Sequence, residues 1–340
     1  ARMLSDGESR NQGPVWSHDG QRIAYGTTRR NGRDTDIHVV GLDGRSTPVL
    51  EADGTWFAGG FSGDGTRLLV TRYLSINESQ PHVLDLDSGA LTPIHDPDNP
   101  AGYGAMVFAH DGRGLYYTSD AQGEFRELRH RDLDTGRSTR LSADIPWDVQ
   151  GVVQSPDGKL LAFTTNEDGI SRLHLRRVPG HEPVDLPELP VGLIGLGEFS
   201  PDGRMLGVTI NSATSPSDVY ALDLQAGELV RWTRSEVGGL DTARFVEPTL
   251  VHYPTFDEVD GKPRMIPAFY YRPSGQAPEG GFPVVINIHG GPEAQARPAF
   301  VPNFQFLANE MGVAVLVPNV RGSAGYGKSY LLLDNGRLRE

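Results

Sequence analysis

The chain has 340 residues, which is long enough for two domains, and a formal net charge of −13. This charge argues against nucleic acid or an anionic membrane surface as a partner, because both are bound through an excess of Lys and Arg. The absence of cysteine excludes a disulfide framework, a thiolate nucleophile and a thiolate metal site. No apolar run is long enough to span a bilayer and no secretory signal is visible, so we expect a cytoplasmic protein unless residues precede Ala1.

An Asp-Gly pair recurs five times in the first two-thirds of the chain, at intervals of 45, 47, 46 and 45 residues. The pairs end at Gly20, Gly65, Gly112, Gly158 and Gly203. Such a pair suits a hairpin turn, because glycine adopts the positive φ that the turn requires and Asp bonds to neighbouring backbone. A repeat of this length predicts a propeller or a solenoid.

Each Asp-Gly turn is followed by an apolar strand and then, 22 or 24 residues later, by a second glycine turn. The predicted strands cover residues 22–26, 67–71, 115–118, 160–164 and 205–209, and the second turns lie at Gly44, Gly89, Gly136, Gly180 and Gly227. Third and fourth strands flank the second turn, so each unit is interpreted as a four-stranded propeller blade. A single large β-sandwich would have no reason to repeat in register.

The two ends of the repeat region are less regular. Residues 3–5 stand where the outermost strand of a blade is expected, so either this strand closes the ring or further blades precede Ala1. A sixth Asp-Gly pair is due near residue 249, but Glu247 and Pro248 stand there instead. We therefore predict a β-propeller over residues 1–243, with five visible blades and an N-terminus that is either complete or truncated, and a second domain over residues 244–340.

The second domain shows the pattern strand, glycine loop, helix, strand. After a hairpin around Asp260-Gly261, the apolar run 284–288 is typical of a strand buried on both faces of a parallel sheet. The run ends in His289-Gly290-Gly291-Pro292, where the glycines permit close approach to the backbone and the proline fixes the chain direction. Residues 300–311 have helical spacing and residues 313–317 form another predicted strand, which completes a βαβ unit.

This loop and the stretch Asn-Val-Arg-Gly-Ser-Ala-Gly-Tyr-Gly at residues 319–327 resemble the prolyl oligopeptidase family of serine peptidases, most closely its acylaminoacyl-peptidase-like branch. The resemblance implies an N-terminal propeller followed by an α/β-hydrolase domain that is truncated in this chain. It also implies that the propeller restricts access to short or N-terminally modified peptides, which are cleaved through an acyl-enzyme. The backbone N–H of Gly291 would then belong to the oxyanion hole, with Gly290 shaping the loop.

The nucleophile that this family places in a G-x-S-x-G pentapeptide is absent from the sequence, and Ser323 in Arg-Gly-Ser-Ala-Gly comes closest to it. None of the Ser/Asp/His triad is assigned, so the 340-residue chain alone is predicted to be inactive and to lack the C-terminal hydrolase portion. His289 is interpreted as structural support for the loop, since the catalytic base comes later in chain order. Arg321 either pairs with a carboxylate near the site or anchors the loop. Glu293 and Arg297 are interpreted as solvated charges.

No cofactor is expected. The ten histidines lack metal-binding spacing, the five repeated aspartates are explained as turn residues, and residues 322–327 lack the Lys-Ser/Thr of a phosphate loop. The expected partner is a peptide substrate, and homo-oligomerisation is left open. Two other functions remain: an esterase of the same fold, which the propeller argues against, and a non-catalytic propeller scaffold that binds peptide or protein.

Overall fold

The computed structural model of the chain describes residues 3–291 and 293–339. Pro292, which was expected to fix the direction of the glycine loop, lies outside the described residues. The chain forms two compact units, Ala1–Pro146 and Trp147–Glu340, and the predicted domain boundary at residue 244 falls inside the second. None of the helices in the described ranges is long and apolar enough to cross a bilayer.

The first unit consists of three antiparallel sheets of four strands, each a meander of sequential strands. Their strands are β1 (Asn11–Trp16), β2 (Arg22–Thr27), β3 (Asp36–Gly41) and β4 (Ser46–Leu50); β5 (Thr55–Phe61), β6 (Arg67–Ser75), β7 (Glu78–Asp85) and β8 (Leu91–Pro93); and β9 (Tyr103–Phe108), β10 (Gly114–Ser119), β11 (Glu127–Asp132) and β12 (Ser138–Arg140). The predicted blade strands after the first three Asp-Gly turns are therefore confirmed as β2, β6 and β10.

Four of the five Asp-Gly turns share one hydrogen-bond pattern, and the third has Ala109 in place of the serine. In the first, Ser17 Oγ donates to Asp19 Oδ1 at 2.6 Å and accepts from Arg22 N at 2.9 Å. The second, fourth and fifth turns repeat it from Ser62, Ser155 and Ser200. All five turn glycines have a positive φ between 67° and 72°. The turns thus fix the hairpins as the sequence predicted.

Neighbouring sheets of the first unit are joined by arginines that follow these turns. Arg22 Nη2 donates to Gly65 O, and Arg67 Nη2 donates to Gly112 O, each at 2.7 Å. The same guanidinium groups lie over the rings of Phe61 and Phe108, at 5.4 and 5.3 Å from the ring centroids. Each contact combines a charged hydrogen bond with a cation–π interaction, so it fixes the spacing of successive sheets.

The second unit contains two more antiparallel meander sheets, one of three strands and one of four. Their strands are β13 (Asp148–Gln154), β14 (Leu160–Glu167) and β15 (Ile170–Arg177), then β16 (Leu193–Phe199), β17 (Met205–Ser212), β18 (Ser215–Asp223) and β19 (Glu228–Arg231). The fourth blade has three strands rather than the predicted four, and only a single bridge joins Arg176 to Pro183. Pro183, Pro187 and Pro190 supply no N–H to a ladder, which explains the missing strand.

The second turn of the fourth unit falls at Gly180 as predicted, although another residue carries its positive φ, whereas the strand predicted at the start of the chain is absent. Four of the second-turn glycines have a positive φ, but Gly180 does not, and His181 turns the chain there with φ 60°. Residues 3–5 form no strand. These residues are not extended because Asp6, which follows them, accepts hydrogen bonds from Glu8 N and Ser9 N and so bends the chain.

The last hundred residues form a mixed four-stranded sheet. Its strands are β20 (Thr249–Val259), β21 (Lys262–Tyr271), β22 (Val284–Ile286) and β23 (Ala314–Pro318), in the order β20-β21-β23-β22. The predicted hairpin is confirmed by β20 and β21, which turn through positive φ at Asp260 and Gly261. Strand β23 is antiparallel to β21 and parallel to β22. The same part of the chain contains two short helices, α1 (Pro302–Asn309) and α2 (Lys328–Leu331). It also contains 3₁₀ turns at Thr242–Arg244, Leu332–Asp334 and Gly336–Arg339.

The strands β22 and β23 differ in burial. Val315 and Val317 of β23 lie in an apolar core with Phe269, Tyr271 and Ala213. Val284, Val285 and Ile286 of β22, by contrast, are 52%, 42% and 60% exposed. The prediction that this run is buried on both faces was therefore wrong for the described residues, because β22 is an edge strand that pairs with β23 alone.

Candidate functional site: the glycine loop

The glycine loop follows β22 at the carboxyl end of that strand. Gly291 has φ 132°, and a Cβ placed on it would lie 3.0 Å from the backbone nitrogens of Glu293 and Ala294. Only glycine accommodates both the dihedral angle and this close approach. At Gly290 a Cβ would meet no atom within 4 Å. Both glycines are exposed, so their backbone can be reached by a ligand.

His289 joins the loop to the 319–327 segment. Its Nε2 lies 2.8 Å from Ser323 Oγ, and that hydroxyl donates to Val320 O at 2.6 Å. Because the one hydroxyl proton of Ser323 is directed at Val320, His289 Nε2 is the donor in the contact with Ser323. A general base needs an unprotonated nitrogen that faces the nucleophile, so this geometry favours the structural interpretation of His289.

Ser323 itself is unsuited to be a nucleophile. Its side chain is fully buried, at 0% exposure, and its Oγ is engaged by both His289 and Val320. A substrate carbonyl could reach Oγ only if these contacts broke. The nearest sequence match to a nucleophile therefore serves to hold the loop.

Asn319 forms hydrogen bonds that connect the chain after the glycine loop to Tyr326 and Tyr330. It is fully buried, and its side-chain amide accepts from Ala296 N at 2.6 Å and donates to Ala296 O at 3.0 Å. Its Nδ2 also donates to Tyr326 OH at 2.9 Å, and its own carbonyl accepts from Tyr330 OH at 2.7 Å. An amide pairing with both backbone groups of one residue fixes that residue's position. Asn319 thereby sets the path of the chain that leaves Gly291.

Arg297 was interpreted from the sequence as a solvated charge, and this was wrong. Its guanidinium donates to Gly169 O at 2.9 Å, to Gln150 Oε1 at 3.1 Å and to Ser171 Oγ at 2.9 Å. All three acceptors belong to the fourth blade. Burial lowers the pKa of Arg297 from its usual value. The sequence around Arg297 could not reveal this role, because its hydrogen-bond acceptors lie in a distant part of the chain.

A second contact from the fourth blade reaches the same loop. Asn166 Nδ2 donates to Gln295 Oε1 at 2.7 Å, and Asn166 Oδ1 accepts from Gly169 N at 3.1 Å. Gly325 is needed beside this pair, because a Cβ there would come within 2.5 Å of Gln295 Nε2. Residues 295–297 are thus held by the β14–β15 hairpin on one side and by Asn319 on the other.

Tyr326 and Asp168 form a buried polar contact next to these residues. Burial and the nearby Asp168 carboxylate raise the pKa of Tyr326. Asp168 Oδ2 lies 3.4 Å from His252 Nε2, whereas Asp168 Oδ1 has no hydrogen-bond partner among the described residues. Asp168 also has φ 52°, as the tight turn between β14 and β15 requires.

Arg321 lies on the β20 side of the segment. Its Nε is 3.3 Å from Asp257 Oδ2, at ion-pair distance without a well-aligned hydrogen bond, and its guanidinium lies 4.8 Å from the ring centroid of Phe256. Arg264 donates to the same carboxylate at 2.9 Å. The hydrogen bond from Arg264 and the charge of Arg321 lower the pKa of Asp257. Arg321 therefore does pair with a carboxylate, and the pair anchors its segment to β20.

The described residues contain no group of three or more His, Asp or Glu side chains arranged to hold a metal ion. The groups available for chemistry at this site are instead backbone N–H donors of the glycine loop. The conformation of Gly291 is one that only glycine permits, and the chain after it is held by the Asn319 amide and by residues of the fourth blade. Such a loop can place N–H donors against developing negative charge.

The repeated four-stranded sheets define a β-propeller protein. The model of the TolB beta propeller domain matches residues 1–184, just over half of the chain. The chain therefore belongs to the TolB β-propeller family.

Known peptidases resemble the chain over almost all of its length. Dipeptidyl aminopeptidase BIII of Pseudoxanthomonas mexicana is 30% identical to it over 336 residues, covering 92% of this chain and 46% of that protein. The puromycin-hydrolyzing peptidase of Mycobacterium tuberculosis shares the fold with a TM-score of 0.78 at 21% identity, covering 95% of this chain and 52% of that one. Prolyl oligopeptidase B of Galerina marginata has a TM-score of 0.77 at 16% identity, covering 96% and 47%.

These likenesses confirm the resemblance to prolyl oligopeptidase-type peptidases at the level of the fold. The chain spans about half the length of the relatives that it matches.

Proposed function

We propose that this chain is the propeller and the first part of the hydrolase domain of a serine peptidase that cleaves short or N-terminally modified peptides. The reaction is acyl transfer. A serine attacks the peptide carbonyl, the amine leaves after protonation, and water then releases the acyl group from the serine ester. The nucleophile and its triad partners lie in a portion of the enzyme outside these 340 residues.

One observation carries the proposal. The loop that resembles an oxyanion-hole motif follows the edge strand β22, and its Gly291 adopts a conformation that only glycine permits. In α/β-hydrolases the loop after the third strand donates one N–H to the oxyanion. Counting from β20, strand β22 is third along the chain and lies beside β23. In this assignment Gly291 N–H faces the developing charge and Gly290 shapes the loop.

The exposed edge strand supports a longer hydrolase sheet. The apolar side chains of Val284, Val285 and Ile286 remain open to solvent, and a free apolar edge promotes aggregation. A further strand of the same enzyme would pair with the free backbone edge, and helices packed on the faces of the longer sheet would cover these side chains. That arrangement agrees with relatives about twice as long as this chain.

The propeller acts as the filter for substrates and also supports the loop. Arg297 and Gln295 connect the chain after Gly291 to the fourth blade. A blade that carries the loop can restrict access and hold the donor in place. Size selection would follow from the first role, and a dependence of kcat on blade residues from the second.

Hydrolysis by the complete natural enzyme tests this function. We would compare peptide 4-nitroanilides that have free and acylated N-termini, a long peptide of the same terminal sequence, and a 4-nitrophenyl ester. The proposal expects amide hydrolysis with a preference for the short peptides. An enzyme that cleaves only the ester would be an esterase of the same fold, and binding of peptides without any hydrolysis would indicate a scaffold. Either result contradicts the proposal.

A further inference from the structure

A cavity of about 350 Å³, which we call the linker cavity, lies between helix α1 and the segment 236–245 that follows β19. One wall comes from residues 236–245 and the other from residues 300–310, so both walls belong to the second compact unit. None of the loop residues 289–291 lines it. Its volume falls at the lower end of the range typical of small-ligand sites.

The interior of this linker cavity is apolar and aromatic. Phe245 and Phe300 lie against each other, with ring centroids 5.5 Å apart at 41°. Leu240 and Phe306 contribute large apolar surfaces and are 60% and 56% exposed. Open aromatic and aliphatic surface around a concave space is the usual feature of a site that binds an apolar group.

The polar groups around the cavity are mostly acidic. Glu236, Asp241 and Glu310 line it together with one cation, Arg244, which gives −3 + 1 = −2. Arg244 Nη2 is 3.5 Å from Glu310 Oε1, so the one positive charge is already engaged. Glu236 makes no hydrogen bond or ion pair within the described part of the chain. The amide of Gln305, also in the lining, is saturated by Val246 and Ala213.

We propose that the linker cavity binds an organic cation, with an aromatic or branched aliphatic body inside and an ammonium group at the acidic rim. Aromatic faces attract cations through the ring quadrupole, and the carboxylates of the rim add charge complementarity. A carboxylate ligand of the same shape is repelled by the rim, and a neutral analogue gains only the apolar contact. This proposal does not depend on the peptidase function.

The test uses the 340-residue chain and three probes of one shape: 2-phenylethylammonium, 2-phenylethanol and phenylacetate. Ligand-observed NMR titration at low ionic strength gives each Kd. We expect saturable binding of the ammonium at least about fivefold tighter than that of the alcohol, and weakening of this preference as salt is added. Phenylacetate should bind most weakly.

Two variants locate the site. Phe306→Ala removes an exposed aromatic wall and should weaken ammonium binding by about tenfold, whereas Glu236→Gln should weaken it by about threefold and leave the alcohol unchanged. Glu228→Gln, an exposed charge on β19, is the matched control. Equal binding of ammonium and alcohol, no saturation up to about 10 mM, or binding that is unchanged in both variants would each overturn the proposal.

Discussion

Gly291 and Asn319 determine the shape of the candidate site at the scale of single residues. Gly291 is required because its φ of 132° and the two amide nitrogens 3.0 Å from a Cβ position exclude any side chain. Asn319 is required because its amide pairs with both backbone groups of Ala296. The sequence predicted the importance of the glycine pair but not which glycine is constrained. It also could not reveal the partners of Asn319, since these lie elsewhere in the chain.

Gly291→Ala tests the first requirement. We expect the substitution to lower the free energy of unfolding of the 340-residue chain by about 1–3 kcal/mol, because Ala at this φ is strained. In the complete enzyme, a displaced N–H donor should lower kcat by about a hundredfold. Urea unfolding and steady-state kinetics measure the two effects. Gly290→Ala is the stability control, since a Cβ meets open space there; equal destabilisation by both substitutions would contradict the account.

Asn319→Leu tests the second requirement. The change leaves the backbone groups of Ala296 without their partner in a buried position, so we expect a loss of about 2–4 kcal/mol of unfolding free energy. Asn303→Ala, at an exposed asparagine whose side chain makes no hydrogen bond within the described part of the chain, should change stability by about 0.5 kcal/mol or less. Denaturant titration measures the free energy of unfolding of both variants. A loss for Asn319→Leu no larger than that of the control would contradict the role of Asn319 in holding Ala296.

At the scale of elements, the β-hairpins are where sequence reasoning succeeded best. Asp-Gly turns at a constant spacing predicted the hairpins correctly, because the turn chemistry is local. Prediction failed where distant contacts decide the outcome. The apolar run of β22 reads like that of a buried strand, but burial depends on which strands pair with it. Arg297 reads like a surface charge, but its three acceptors lie more than 120 residues away in the chain.

Arg297→Met tests the connection between the fourth blade and the loop. Removal of the guanidinium leaves Gly169 O, Gln150 and Ser171 without their donor, and we expect a loss of about 1–3 kcal/mol. Hydrogen exchange should also become faster at residues 294–297. Arg234→Met, at an exposed arginine, is the matched control and should lie within about 0.5 kcal/mol of the parent. Unchanged exchange in Arg297→Met would contradict support of the loop by the blade.

The Asp-Gly turns predict a pH dependence of stability. Hydrogen bonds from Ser62 and Ser155 lower the pKa of Asp64 and Asp157 from 3.8 to about 2. A carboxyl whose pKa is lower in the folded state stabilises the fold above its unfolded pKa, and this contribution is lost as the pH falls from 3.8 through about 2. Stability of the double variant Asp64→Asn, Asp157→Asn, measured by urea unfolding, should fall less steeply over this window. An identical pH profile for parent and variant would show that these turns do not contribute.

At the scale of the whole molecule, the sequence predicted the class of protein better than its active centre. A repeat that occurs five times predicted a propeller, and the match to the TolB beta propeller domain and the fold shared with known peptidases agree with it. The short loop motif led to the proposal of a peptidase-type sheet after the propeller. The chemistry of the triad could not be placed, because no serine of the sequence stands in a G-x-S-x-G pentapeptide. If the triad lies outside these 340 residues, as proposed, this chain and the complete enzyme should respond in opposite ways to a reagent that modifies activated serines.

Intact mass after treatment with a fluorophosphonate tests that contrast most directly. An activated serine attacks the phosphorus and expels fluoride, which leaves one covalent adduct on its Oγ. We predict that the 340-residue chain stays at 37.0 kDa, and that the longer natural enzyme gains one adduct on a serine outside this sequence. An adduct on Ser323 of the 340-residue chain would contradict the placement of the nucleophile outside this sequence. A longer enzyme that gains no adduct would contradict the proposed serine-peptidase function.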